Sequence, residues 1–290
     1  MIIPFEHIRY KKITGNSDFF FFINSNSLNE DIAFIEKNKI TNVCLSQYEG
    51  YLIKNILPVI NLKFLKKLKV FVNEIDFCGL NYITSLEELS IGEEYDTLEF
   101  NNLSKLRSLY LVNGRFTGLQ TLKGLKELTI INGNAAAFTV TNFIENSPIE
   151  SLCIYTTKGQ IDFSFLVRLN NIKKIDFYNV KAKVDIRLFN SFAETLEELK
   201  FEKCKELEHL EDCIVKFNSL KYLSLIDSVP LSNSEFVFAL QGLEILVVLG
   251  TSFFIDGNIS SLKSVLRHVS IDDKKNYSIK NKQLPKIPYE

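Results

Sequence analysis

Residues 103–116 read Leu-Ser-Lys-Leu-Arg-Ser-Leu-Tyr-Leu-Val-Asn-Gly-Arg-Phe, and this stretch decides the fold. Leu109 and Leu111 alternate with Tyr110 and Val112, the period of two expected of a strand with one buried face. Leu103 and Leu106 precede them at intervals of three, which suits a turn climbing into the strand. Asn113 and Gly114 tolerate turn conformations and break the strand. Phe116 then returns an apolar side chain to the interior.

The same pattern, Leu-x-x-Leu-x-Leu or a close apolar variant, opens at Ile40, Leu65, Leu86, Leu106, Leu125, Ile149, Ile172, Leu196, Leu220, Leu243 and Leu266. The steps are 25, 21, 20, 19, 24, 23, 24, 24, 23 and 23 residues. An apolar lead-in three residues earlier recurs as Leu62, Ile83, Leu122, Leu169, Phe217 and Leu240. One such unit cannot bury its own apolar edge; stacking against its neighbours closes a continuous core. The expected fold is therefore an α/β solenoid, with one strand per repeat in a concave parallel β-sheet of about eleven strands. At about 4.8 Å per strand the arc is on the order of 50 Å. Short helices and turns fill the convex side. Ile186–Phe192 and Glu235–Leu240 are expected as helices, the second capped from Ser232, Asn233 or Ser234. The shorter returns between Leu86 and Leu125 leave room only for turns or 3₁₀ pieces.

Eleven copies in one register resemble the leucine-rich repeat proteins, in a degenerate form of bacterial, cytoplasmic type, over about four fifths of the chain. The resemblance implies a leucine-rich repeat horseshoe. At the ninth repeat position the family places an Asn that bonds the loop backbone. Only Asn73 keeps it; Thr157, Cys204, Ser228 and Thr251 offer small replacements.

The repeats span 40–271, flanked by a 1–39 N-terminal cap and a 272–290 C-terminal cap or tail. Caps are needed because an open solenoid exposes its core and a strand edge. Ile8–Ile13 and Phe19–Ile23 are expected to pair as a hairpin across Thr14–Asp18. A helix should follow from Ser27, with Ser27 and Glu30 as a capping box and Leu28, Ile32 and Ile35 on one face. In the tail, Tyr277 and Ile279 are expected to cover the last repeat before the chain frays.

Charge narrows the partners. The formal net charge is −1, from 34 basic and 35 acidic residues. The second repeat position runs Lys66, Glu87, Arg107, Lys126, Glu150, Lys173, Glu197, Lys221, Glu244, Arg267. Mixed signs make a solvated face, not a track for phosphates, so no nucleic acid is expected. The start lacks a basic stretch followed by an apolar run, and Phe19–Ile23 is too short to span a bilayer, so neither secretion nor a membrane is expected. Five scattered cysteines without a Cys-x-x-Cys pair point to a reducing compartment and hence the cytoplasm. Spacing leaves a Cys204–Cys213 pairing open.

The sequence offers no catalytic constellation. His7, His209 and His268 lie in different repeats and cannot converge, so no metal site is expected. Cys44 and Cys153 face the inner side without a base nearby and read as inert. The acidic pairs Glu87-Glu88, Glu93-Glu94 and Glu197-Glu198 sit at solvent positions. No cofactor, small-molecule substrate or enzymatic activity is expected.

The inner face carries the functional candidates. Positions three, five and seven of each repeat project from it. Tyr110, Val112, Ile131, Tyr155 and Tyr178 form an apolar-aromatic band, flanked by Glu127, Lys174 and Asp176, with Phe71 and Tyr222 further along. Tyrosines at an interface supply apolar area and a hydroxyl at low entropic cost. A second apolar group comprises Tyr222, Ile226, Ile245, Val247 and Leu249, unless the tail folds over it. The bland reading is that such side chains simply suit strands. The function expected is a non-catalytic scaffold holding a protein partner on its concave face. The resemblance also implies an immunity or inhibitor role as an alternative. A structural spacer, or an enzyme with a composite site at Cys153, Tyr155 and Asp176, are the rival classes.

Overall fold

The computed structural model describes residues 9–13, 18–95, 97–112, 115–134 and 138–287. His7, Ile8, the turn residues 14–17 and the strand breakers Asn113 and Gly114 lie outside them. The chain resolves into two compact units, Met1–Gly133 and Asn134–Glu290.

In the first unit the sheet contains, in order, Tyr10–Lys12, Phe19–Ile23, Asn42–Ser46, Lys67–Phe71, Glu88–Ile91, Ser108–Val112 and Glu127–Asn134. Tyr10–Lys12 pairs antiparallel with Phe19–Ile23; every later pairing is parallel. The second unit adds Ser151–Lys158, Lys174–Tyr178, Glu198–Glu202, Tyr222–Ile226, Ile245–Leu249 and His268–Ile271, all parallel. All eleven repeat strands are present, as the sequence period requires.

Register follows from the apolar pattern. Leu68, Leu89, Leu109 and Leu128 face one another across successive strands of the first unit. Leu152, Ile175, Leu199, Leu223, Leu246 and Val269 do so in the second. All are at most 1% exposed, and shifting any strand by one residue would turn its row to the other face. Burying each such side chain is worth about 1.5–3 kcal/mol. The lead-in residues Leu62, Ile83, Leu122, Leu169, Phe217 and Leu240 are buried as well.

The returns carry the short helices expected. Ile186–Phe192 is one of the 3₁₀ kind. Its buried residues, Ile186, Phe189 and Phe192, recur every third position, the repeat of a 3₁₀ helix, so that geometry aligns all three on the core. Asp185 opens it by accepting a hydrogen bond from the Arg187 amide (3.0 Å). The α-helix in the next return but one is Phe236–Ala239, and of the three candidate caps Asn233 accepts from the Glu235 amide (2.8 Å) while Ser234 donates to the Asn258 carbonyl. In the short returns of the first unit, Thr97–Glu99 pairs in parallel with Arg115–Thr117, a small second sheet the sequence reading did not anticipate. Leu98 and Phe116 are the buried residues of that pair.

The first 39 residues carry a further correction. The helix Leu28–Asn38 forms, but Ser27 makes no capping hydrogen bond, so the Ser27–Glu30 box is absent. The Asp31 carboxylate takes that role from inside the first turn. It is buried and accepts from the Asn24 amide (2.8 Å), the Ser27 hydroxyl (3.3 Å) and Arg9. The buried residues of the helix are therefore Asp31 and Ile35, with Leu28 and Ile32 half-buried.

Beyond Ile271 the chain lies along the edge of the final strand. The Val269 amide donates to the Pro285 carbonyl (3.0 Å), the Ile287 amide to His268 Nδ1 (3.1 Å), and Lys286 Nζ to the Val269 carbonyl. Tyr277 is buried and its hydroxyl accepts from the Phe254 amide (3.0 Å), whereas Ile279 stays half-exposed. No helix among the described residues is long and apolar enough to cross a membrane.

Candidate functional site

Alternation places positions three, five and seven of each repeat on the sheet face away from the core, and apart from the buried Cys44, Ser46 and Ser224 their side chains are partly or fully exposed there. The expected band divides between the units. Tyr110, Val112, Glu127 and Ile131 belong to the first, where Ser108 faces Glu127, Tyr110 faces Thr129 and Val112 faces Ile131. Burial pushes the Tyr110 phenol up from its ordinary value. Tyr155, Lys174, Asp176, Tyr178 and Tyr222 belong to the second.

The face is closed at the start of the first unit. Phe19–Ile23 and Asn42–Ser46 are buried on both sides, unlike the strands that follow. Phe20, Phe22 and Cys44 form a small cluster there, with Ile13 and Phe71 packed against it. The Phe71 ring also fills the space a side chain would need at Gly92. Lys69 sits over the Phe20 ring (4.8 Å), and burial drives the Cys44 thiol far above its ordinary range.

In the second unit the two tyrosines meet edge to face, with ring centroids 6.4 Å apart. Both hydroxyls are engaged: Tyr155 donates to Asp176 Oδ2 (3.1 Å), and Tyr178 accepts from Lys203 Nζ (3.0 Å). Burial, then Asp176, raises the Cys153 thiol pKa. That is the reverse of what a nucleophilic cysteine needs, since the thiolate is the reactive form.

The strand Glu198–Glu202 follows with Glu198, Lys200 and Glu202 outward. Lys174 and Lys200 both approach Glu198 (3.8 and 3.5 Å), and Lys200 lies over the Tyr222 ring (4.6 Å). Beyond it, Tyr222 faces Ile245, Ser224 faces Val247 and Ile226 faces Leu249. Five of those six outward side chains are apolar, and all five are partly exposed. In the described part of the tail, residues 285–287 run along the edge of His268–Ile271, and the five apolar side chains stay partly exposed.

Solved structures share this fold. An internalin of Listeria monocytogenes superposes with a TM-score of 0.55 at 17% identity, over 86% of this chain and 78% of its own. A leucine-rich repeat protein of Leptospira interrogans gives 0.58 at 18% identity, over 80% of this chain and 62% of its own. TLR13, crystallised as a TLR13–ssRNA13 complex, gives 0.52 at 16% identity, over 89% of this chain but 42% of its own length. The fold is that of the leucine-rich repeat proteins. No protein-family model and no curated protein sequence matches the chain.

In leucine-rich repeat terms, the ninth position behaves differently from the sequence reading. Asn73 is exposed, and Gln47 Oε1 accepts from its amide (3.2 Å). The bonded ladder runs instead through Cys204, Ser228 and Ser252. The Cys204 amide donates to Ser228 Oγ (3.1 Å), and the Ser228 amide to Ser252 Oγ (2.9 Å). Ser252 is wholly buried and replaces the expected Thr251, which is exposed. Thr157 is buried, with its hydroxyl unpartnered.

The eighth position supplies the turn that makes room for this ladder. Asn132, Thr156, Asn179, Lys203, Asp227 and Gly250 all take positive φ, between 48° and 68°. The Asn179, Lys203 and Asp227 amides each donate to the position-seven carbonyl of the next repeat, Glu202, Ile226 and Leu249 (2.7, 2.8 and 3.0 Å). Asn, Asp and Gly at four of the six positions were the readable signal, because these residues visit that conformation most easily.

All five cysteines are free thiols, so Cys204 and Cys213 are not paired. Sequence spacing weighs the three histidines only against one another; His209 lies beside Asp185 and Glu208, their ligand atoms within 4.8 Å of one another. Both carboxylates already serve cations: Arg187 holds Asp185 (2.6 Å) and Lys183 holds Glu208 (2.6 Å). Arg187 also lowers the Asp185 pKa.

Proposed function

We propose that this chain is a non-catalytic protein-binding scaffold, and that the strand face of its second unit receives the partner. One observation carries the reading: the apolar quintet Tyr222, Ile226, Ile245, Val247 and Leu249, partly exposed beside the charged strand Glu198–Glu202. Contiguous apolar surface beside a mixed-charge rim is the anatomy of a protein interface, with an apolar centre for affinity and polar groups for register. Tyr155, Tyr178 and Asp176, pre-ordered by their mutual contacts, and Lys174, held near Glu198, extend it, so little side-chain entropy is lost on binding. In the first unit Tyr110, Val112, Glu127 and Ile131 present a smaller outward patch, and Phe71 contributes mainly by closing the face. Residues 1–39 and 272–290 act as caps in this reading. Five unpaired thiols favour a reducing compartment such as the cytoplasm.

The test is affinity capture from the source organism with mass-spectrometric comparison of variants. A protein retained by the wild type should be lost when Ile245→Glu and Leu249→Glu are combined. The return-side variant Val167→Glu, where the residue is 48% exposed, should retain it. Tyr155→Ala with Tyr178→Ala should weaken the same capture by about tenfold or more, with the melting temperature little changed. Equal retention by all variants would place the partner elsewhere.

A further inference from the structure

On the return side of the second unit, between the helices Leu210–Ile214 and Phe236–Ala239, lies a groove of about 710 Å³. Leu210, Leu231 and Phe236, all buried, back it, with Val215 half-exposed beside them, and the surface it presents is more polar than apolar. Its rim carries three carboxylates, Glu211, Asp212 and Glu235, and not one of its lining residues is Lys or Arg. In a chain with 34 basic and 35 acidic residues, that local imbalance stands out against a nearly neutral whole.

The walls are held in place before anything binds. The Glu211 carboxylate accepts from the Ser232 amide (2.9 and 3.0 Å) and from its hydroxyl (3.0 Å), tying one return segment to the next. Asn233 fixes the Glu235 amide. Asp212 is left pointing to solvent, its side chain 84% exposed, with His209 as a distant neighbour at 3.9 Å. Asp212 and Glu235 are thus the carboxylates available to an incoming cation.

We propose that this groove docks a basic, leucine-bearing segment of a partner protein. Aliphatic side chains of the segment seat on Leu210, Val215 and Phe236, while its Lys or Arg heads meet Asp212 and Glu235. Charge complementarity selects this occupant: an acidic segment would face three carboxylates, and a purely apolar one would leave the rim unanswered. Because the net charge of the chain is −1, attraction of a basic peptide is local and not a product of the overall field.

The probe is a short fluorescein-labelled peptide alternating Lys and Leu, titrated by fluorescence anisotropy. Binding should weaken by about tenfold or more, roughly 1.4 kcal/mol, in Asp212→Lys combined with Glu235→Lys, and in part in the milder Asp212→Asn/Glu235→Gln pair. The same reversal at the exposed Glu145, Glu145→Lys, should leave it unchanged. Methyl chemical shifts should move at Leu210 and Val215. Ile245→Glu/Leu249→Glu should bind the peptide normally, which separates this site from the strand face. Equal affinity for a peptide with Glu in place of Lys, indifference to the double reversal, or an equal loss in Glu145→Lys would each overturn the proposal.

Discussion

The two units run the same repeat on different interiors. In the first, the steps from Leu65 to Leu125 are 21, 20 and 19 residues, and the buried apolar side chains of that span are aliphatic except Tyr95, Phe100 and Phe116. In the second, the steps are 23 or 24 residues, and from Phe138 to Phe217 rings occupy much of the space between sheet and return. Phe138, Phe143 and Phe163 surround Phe165, and Phe163 leads through Phe177 to Phe189, Phe192, Phe201 and Phe217, with centroids 4.5–6.5 Å apart. Where the returns are three or four residues longer, the phenylalanines bring stacked and edge-to-face contacts that aliphatic packing lacks. Longer returns also coincide with the positive-φ eighth position and the Cys204–Ser228–Ser252 ladder, so backbone and core changed together.

Phe189 is where this contrast can be broken most visibly. Phe189→Ala should destabilise the second unit by about 3–5 kcal/mol, because four rings lose a neighbour at once, and hydrogen exchange should rise there before it rises in the first unit. Uniform exchange across both units would mean that they do not respond separately. Ser228→Ala comes next. It strands the Cys204 amide and should cost about 1–3 kcal/mol in urea denaturation; a silent substitution would show the ladder to be incidental. Thr156→Asn should stabilise by about 1 kcal/mol. A β-branched residue at φ 56° is strained, and Asn already occupies the matching position at 132 and 179.

The smallest effect is pH-dependent. Burial, then nearby Lys286, lowers the His268 pKa below its ordinary 6.5. The neutral ring accepts the Ile287 amide, so the unfolded chain takes up the proton first. Anchoring of residues 285–287 should be complete above about pH 6.5 and fade as pH falls through the folded value. Proton exchange at the Ile287 amide reports it, and His268→Ala should abolish the dependence.

The legible and the illegible residues separate by the range of the interactions that fix them. Leu68, Leu109 and Leu223 were readable as core because each is placed by its own repeat's period. The second-position charges were readable as a solvated ladder, and Lys66–Glu87 (2.9 Å), Glu150–Lys173 (2.9 Å), Glu197–Lys221 (2.7 Å) and Glu244–Arg267 (2.6 Å) pair along it. The replacement of Thr251 by Ser252 was not readable. Gly250 turns with a positive φ like the same position of the preceding repeats, and a one-residue shift in a loop leaves no periodic mark. Nor was the burial of Asp31, whose partners Arg9 and Asn24 lie outside the helix.

Composition and spacing alone determined that this chain stacks parallel strands, which rows lie inside, and that its faces carry balanced charge, because those properties belong to one repeat and are copied. Three-dimensional contact decided the rest: a 3₁₀ helix at Ile186–Phe192, the closure of one strand face over Cys44, and an acid-rimmed groove between two returns. Each arises where neighbouring repeats differ, and a difference between neighbours acts only once they touch.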